Sequence, residues 1–87
     1  MSTPEDYLNS LRTANKTRLL EALRAVHQTY KIPESDVMSD MAWIEDNARV
    51  PQRDVCAFIF QRIEFYFEMI LWAPRRRRAA EAAAQKK

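Results

Sequence analysis

The stretch that decides the fold is residues 55–72, VCAFIFQRIEFYFEMILW, in which fourteen of the eighteen residues are apolar. Successive residues of an α-helix are rotated by about 100°. At that spacing the stretch has one narrow polar stripe, formed by Asp54, Ala57, Gln61, Glu64 and Glu68. The opposite face is the predicted core face, and it consists of Val55, Ile59, Ile63, Tyr66 and Ile70.

Two further flanks of this helix are also mostly apolar. One holds Cys56, Phe60, Phe67 and Leu71, and the other holds Phe58, Arg62, Phe65, Met69 and Trp72. Either the remaining helices wrap around this one, or a flank binds a second copy or a partner protein, or the helix touches a membrane. The charges of Arg62, Glu64 and Glu68 argue against a membrane-spanning helix. Aromatic residues, Met and Arg are enriched in interface cores, so we expect the second flank, with Phe60 and Phe67, to form a dimer or partner interface.

Arg62 is the charged residue on this apolar side, between Phe58 and Phe65. It has two interpretations. It can reach solvent while its stem covers apolar surface, with its guanidinium stacked on an aromatic ring. Alternatively, it is an interface arginine that pairs with a carboxylate across a dimer or on a partner.

Helix signals on either side of this stretch predict an all-α fold. Pro51 opens the long helix, which we expect to run from about 51 to 73 and to end before Pro74. Upstream, Thr3, Pro4 and Asp6 form a helix start, and the polar residues 13–17 leave open whether residues 4–31 form one helix or two. A third helix is expected over about 36–48, capped by Ser35 or Asp36, with Val37, Met41, Ile44 and Ala48 facing inward. The chain has no glycine, which suits a three- or four-helix bundle. We expect residues 1–74 to be a single helical domain that forms a homodimer.

The charges of the chain are divided between a mildly acidic body and a basic tail. Residues 1–74 carry eight Lys or Arg against eleven Asp or Glu, a net −3, and residues 75–87 carry six against one, a net +5. The tail RRRRAAEAAAQKK is short for an isolated helix, and arginines at its start oppose the helix dipole. We therefore expect residues 75–87 to be frayed or disordered until bound. The tail is either a solubilising segment or an electrostatic arm for nucleic acid, an acidic protein or an anionic membrane.

Residues 41–60, MAWIEDNARVPQRDVCAFIF, resemble a helix-turn-helix segment. Ile44, Ala48, Val50, Val55 and Phe58 fall where that motif is apolar, and Pro51 would open its recognition helix. The resemblance implies that Gln52, Arg53 and Asp54 face the major groove of DNA. In this alternative the tail residues Arg75, Arg76, Arg77 and Arg78 add basic contacts. Two positions depart from the pattern: Glu45 stands where a small residue is usual, and Arg49 where glycine is usual. The acidic groups nearby would repel phosphate, so DNA binding is the alternative to protein binding.

The sequence contains no recognisable catalytic constellation. Without glycine there is no glycine-rich phosphate loop, dinucleotide-binding turn or nucleophile elbow. His27 and Cys56 are each the sole residue of their type, so neither predicts a metal site, and we expect no metal, no cofactor and no enzymatic activity. A single cysteine and a polar, acidic N-terminus favour a reducing, cytoplasmic location. We expect a small regulator or adaptor of the kind that phages and mobile elements encode, with a dimeric helix-turn-helix-like DNA-binding regulator as the alternative.

Overall fold

A computed structural model describes residues 3–85, in which the regular secondary structure is helical and no β-strand is present. The helices are α1 (Pro4–Ser10), α2 (Lys16–Thr29), α3 (Glu34–Asp46) and α4 (Gln52–Phe67). A π-helical turn, Glu68–Trp72, joins α4 to α5 (Ala73–Gln85). The all-α prediction is confirmed. The described chain is elongated, 56 × 28 × 20 Å, because α5 continues the line of α4.

The N-terminal segment is two helices, which decides the question that the sequence left open. The Thr3 Oγ1 accepts the Asp6 N–H at 3.1 Å, and the Asp6 carboxylate accepts the Thr3 N–H at 3.4 Å, so the predicted capping box is present. The break lies at residues 11–15, where the Asn15 side chain accepts the Arg18 N–H at 2.9 Å and starts α2. A polar residue that satisfies the orphan amides of a new helix favours two helices over one.

The connection from α2 to α3 contains a left-handed residue. Lys31 has a φ of 52°. The N–H of Ile32 donates to the carbonyl of His27 at 3.0 Å, and the N–H of Lys31 donates to Gln28 at 3.4 Å. This is the pattern of a Schellman motif, whose left-handed position usually holds glycine. The chain has no glycine, so lysine occupies that position.

Helix α3 begins and ends two residues earlier than predicted. Pro33, not Ser35 or Asp36, is the residue before its first turn, and no side chain caps it. Of the predicted inward residues, Ile44 is buried, Val37 and Met41 are partly buried, and Ala48 is exposed beyond the end of the helix. The fixed φ of proline is compatible with entry into a helix, which explains the earlier start.

The core lies where α1, α2 and α4 meet, closed on one side by α3. Val55, Ile59, Ile63 and Tyr66 are buried as predicted, whereas the prediction for Ile70 is wrong, because its side chain is 36% exposed. The buried apolar residues are Leu8, Leu11, Leu19, Ala22, Leu23, Val26, Ile44, Val55, Ile59, Ile63, Tyr66 and Phe67. The displacement of Ile70 follows from the π turn. A π turn places an extra residue in one helical turn, so Leu71 and Trp72 pack against the core in its place.

The long helix does not end before Pro74, contrary to the prediction. Proline cannot donate a hydrogen bond to the carbonyl four residues earlier and its ring clashes with that carbonyl. The π turn directly before it widens the backbone, and the Ala73 N–H bonds to the Glu68 carbonyl five residues back. An ion pair between Arg76 and Glu68 bridges the two sides of Pro74.

The tail is also helical, as far as Gln85, in place of the frayed or disordered segment that was predicted. Residues 86 and 87 lie outside the described residues. The prediction treated the tail as an isolated peptide that must nucleate its own helix. As a continuation of α4 it needs only propagation, which its alanines favour. Because α5 is not a separate helix, no free N-terminal dipole opposes the arginines. None of its residues is buried.

Candidate protein-binding surface and a buried polar network

Three of the predicted interface aromatics are partly covered by other parts of the same chain. The ring of Phe58 stacks on Trp43 of α3, with 3.7 Å between centroids and 16° between planes. The Arg12 guanidinium lies 5.1 Å from the ring centre of Phe60. Trp72 meets Phe67 edge to face at 5.9 Å. These residues therefore offer only a fraction of their surface to a partner.

Phe67 does not belong to an exposed surface. Its side chain is 3% exposed, and the rings of Tyr7, Tyr30 and Trp72 surround it at 5.9–6.2 Å. The prediction that Phe67 contributes to an interface is therefore wrong for the folded single chain. The two N-terminal helices reach this part of α4 and close the core over its ring.

Three of the exposed large apolar side chains lie together where α4 passes into the π turn, whereas the fourth, Met38, lies on α3. Phe65 is 45% exposed, Met69 is 54% exposed and Ile70 is 36% exposed. We call these three residues the α4 patch. Phe65 and Met69 are one turn apart, and Ile70 is turned toward them by the π segment. The sequence correctly placed Phe65 and Met69 on an available flank but assigned Ile70 to the core.

Two concave surfaces lie on either side of Phe65. The first is a groove of about 480 Å³ that all three patch residues line, together with Tyr30, Ile32, Pro33, Asp36 and Tyr66. The second, of about 440 Å³, is lined by Gln61, Glu64, Phe65, Glu68 and Trp72. Carboxylates therefore lie on both sides of the α4 patch, with Asp36 in the first surface and Glu64 and Glu68 in the second.

Arg62 belongs to a polar network inside the chain. Its Nε donates to Asp40 Oδ1 at 2.8 Å, and its Nη2 donates to the Tyr66 hydroxyl at 2.9 Å. The guanidinium also lies 4.8 Å from the ring centre of Phe65. The geometry therefore matches the first interpretation of Arg62, in which its guanidinium is partly exposed and stacked on an aromatic ring. The carboxylate that pairs with it is in the same chain and not across an interface.

Asp40 is the centre of this network and is 2% exposed. Besides Arg62, its carboxylate accepts the hydroxyl hydrogen of Tyr66 and lies 3.0 Å from His27 Nε2. His27 is buried as well, and its ring meets that of Tyr66 edge to face at 5.6 Å. One carboxylate thus joins α2, α3 and α4, with its acceptor oxygens used by three side chains.

The network changes the acid–base behaviour of its members. The pKa of Tyr66 is raised to about 12. Burial is the largest cause, and the hydrogen bond to Asp40 is the second. Burial acts most strongly on Arg62 and lowers its pKa, but the hydrogen bonds and attraction from Tyr66 and Asp40 together outweigh it, so the pKa is raised. Tyr66 is thus a neutral donor and Arg62 a cation at ordinary pH. Such groups hold structure and do not transfer protons near neutrality.

Asp40 was not among the residues that the sequence singled out. A signal was available, because Asp40 follows Val37 by three residues and precedes Ile44 by four. That spacing places it on the inward face of α3. His27 likewise follows Leu23 by four residues on α2. A carboxylate and an imidazole on two apolar faces predict a buried pair more readily than two solvated groups.

The residues of the DNA-binding alternative lie at two distant places. Gln52 and Arg53 are exposed at the start of α4, where Arg53 Nε is 3.9 Å from Asp54 Oδ1. Arg75, Arg76, Arg77 and Arg78 are exposed on α5. At about 1.5 Å per residue the 23 residues from Gln52 to Arg75 span roughly 35 Å. The structure therefore does not bring the two groups into one site.

Residues 3–85 contain neither a candidate membrane-spanning helix nor a candidate metal-binding cluster. No helix in this range is long and apolar enough to cross a membrane. These residues also contain no cluster of three or more histidine, cysteine, aspartate or glutamate side chains that could hold a metal ion. Comparisons of the chain with protein-family models, with curated proteins and with solved structures found no match.

Proposed function

We propose that this chain is a small non-enzymatic regulator or adaptor that binds a protein partner through the α4 patch. The observation that carries the proposal is the side-by-side exposure of Phe65, Met69 and Ile70 beside a groove of about 480 Å³. Exposed apolar residues that occur singly need no explanation, but a contiguous group next to a concavity is typical of an interaction site.

The charges around the α4 patch support a partner of one particular chemistry. Asp36 lies in the groove, and Glu64 lies on the other side of Phe65. The nearby cations are already paired, Arg62 with Asp40 and Arg76 with Glu68. Apolar contacts at the centre and positive charge at the rim would complement this arrangement. The partner we propose is therefore an amphipathic helix with apolar anchors at helical spacing and basic residues beside them.

The test uses a synthetic helix with this chemistry as the probe. The probe is a stapled peptide of about 14 residues, because an unconstrained helix of that length is marginal in water. Leucines occupy one face and lysines the other, and a matched peptide carries glutamates in place of the lysines. Titrated into ¹⁵N-labelled protein, the lysine peptide is expected to shift the amide signals of residues 65–70. The glutamate peptide should bind at least tenfold more weakly, because each close like-charge contact is unfavourable.

Two methionine variants provide the control. Met69→Glu places a charge in the α4 patch and should abolish the shifts, whereas Met38→Glu changes an equally prominent methionine on α3, 63% exposed, and should leave them intact. The proposal fails if neither peptide binds, if the two peptides bind equally, or if Met38→Glu has the larger effect. Sedimentation velocity adds one further outcome. If the chain is a dimer and Met69→Glu dissociates it, the partner at the α4 patch is a second copy of this chain and not a helix of another protein.

A further inference from the structure

Beyond the α4 patch, we propose that α5 is a preformed helical arm that binds duplex DNA by inserting into the major groove and contacting phosphates. The helix extends past the bundle, and all of its described residues from Arg75 onward are exposed. The bundle therefore gives no packing reason for α5 to be helical.

The charges of α5 indicate an anionic partner. Among the described residues Arg76 pairs with Glu68, while Arg75, Arg77 and Arg78 form no ion pair. Glu81 is the single acidic residue on the helix. Arg75 and Arg78 are three positions apart and share one side of the helix. The planar guanidinium of arginine presents a fork of donors that matches two oxygens of a phosphate. The ammonium of lysine acts as a point charge and binds a phosphate with less geometric specificity.

The remaining residues of α5 distinguish among anionic partners. Positions 79–84 read AAEAAA, so the helix has no bulky apolar face. A helix that lies in a membrane surface needs large apolar side chains on one side, which α5 lacks. Alanines keep the helix narrow, and an α-helix about 10–12 Å across fits the major groove of B-form DNA, which is about 12 Å wide. The deep, narrow major groove of duplex RNA does not admit one.

The position of α5 makes it independent of the helix-turn-helix-like segment. Gln52 and Arg53 lie at the other end of the helical rod, where Asp54 and the nearby carboxylates oppose phosphate. The arm we propose contacts the backbone and does not need a sequence-specific site.

The experiment measures the anisotropy of a labelled random-sequence duplex of about 20 base pairs, two helical turns, with the full-length chain at about 50 and 200 mM salt. Wild-type chain is expected to bind, and its affinity should fall steeply with salt. The double variant Arg77→Ala, Arg78→Ala removes two phosphate contacts, so the slope of log affinity against log salt should fall by about 1.8. The matched variant Gln52→Ala, Arg53→Ala should retain wild-type affinity and slope.

A third variant tests whether the helix itself matters. Ala80→Pro keeps every charge but breaks α5, and we expect it to weaken binding at least fivefold. Unchanged binding by Ala80→Pro would overturn the helical arm, because a flexible basic tail would behave in that way. Absence of binding, loss of binding in the Gln52→Ala, Arg53→Ala variant, or tighter binding to vesicles of anionic lipid than to the duplex would also overturn the proposal. Met69→Glu should leave DNA binding unchanged, so that the two proposals fail separately.

Discussion

Replacing Asp40 with alanine is expected to lower the free energy of unfolding by about 3–5 kcal/mol. The substitution removes the shared acceptor of Arg62, Tyr66 and His27. The Tyr66 hydroxyl and the His27 ring are buried, and each buried polar group left without a partner costs about 1–3 kcal/mol. Arg62 adds less than a fully buried cation would, because its side chain is 26% exposed and water can solvate part of it.

The assay is urea unfolding followed by far-ultraviolet circular dichroism at neutral pH. A loss of this size is a large part of the stability of a domain of this length, about 4–13 kcal/mol. In a thermal scan it corresponds to a fall in Tm of about 15–30 °C. Asp36→Ala is the matched control, since Asp36 lies on the same helix and is exposed. It should change the free energy of unfolding by no more than about 0.5 kcal/mol.

A double-mutant cycle checks the cause of the loss. Arg62→Ala in the Asp40→Ala background should cost less than in the wild type, with a coupling free energy of at least about 1 kcal/mol. The reasoning is refuted if Asp40→Ala costs less than about 1 kcal/mol, or if the two substitutions are additive, because the carboxylate would then not be the group that holds the network together.

Two further predictions concern the α2–α3 connection and the pH dependence of stability. Lys31 is left-handed with a φ of 52°, so Lys31→Gly should relieve backbone strain and raise the free energy of unfolding by about 1 kcal/mol. Chemical denaturation measures the change, and a decrease would contradict the left-handed assignment. The folded pKa of Tyr66 is raised from 10.0 to about 12, so its contribution to stability is complete below pH 10 and is lost as the pH rises toward 12. The loss is on the order of 3 kcal/mol. Stability measured across this range should fall less steeply for Tyr66→Phe than for the wild type, and parallel curves would show that the tyrosine is not responsible.

Periodicity was enough to predict the greater part of the core face of α4, because Val55, Ile59, Ile63 and Tyr66 follow a regular helix. Periodicity could not predict the exposure of Ile70, because a π turn moves this residue out of the core. No pattern in the sequence EMILW indicates such a turn. The same turn explains why Pro74 does not end the helix. A rule about proline in a regular α-helix gave the wrong end point because the backbone ahead of the proline is not regular.

The candidate site was predictable only where the exposure of a residue depends on helix periodicity and not on long-range contacts. Phe65 and Met69 are exposed because they lie on a part of the second flank that no other helix covers, unlike Phe58, which stacks on Trp43 of α3. The burial of Phe67 depends on where Tyr7 and Tyr30 meet α4, which is a long-range contact. The partner of Arg62 is 22 residues earlier in the chain, and spacing within α4 carries no information about it.

The way in which α3 is attached has a consequence for how the molecule opens. This helix buries two side chains, Ile44 and Asp40. Native proteins undergo sub-global unfolding in which weakly anchored segments exchange their amide hydrogens first, and α3 is expected to open before α2 and α4, which bury more side chains. When it detaches, Trp43 leaves Phe58, and an aromatic surface that is covered at rest becomes accessible for a short time next to the α4 patch.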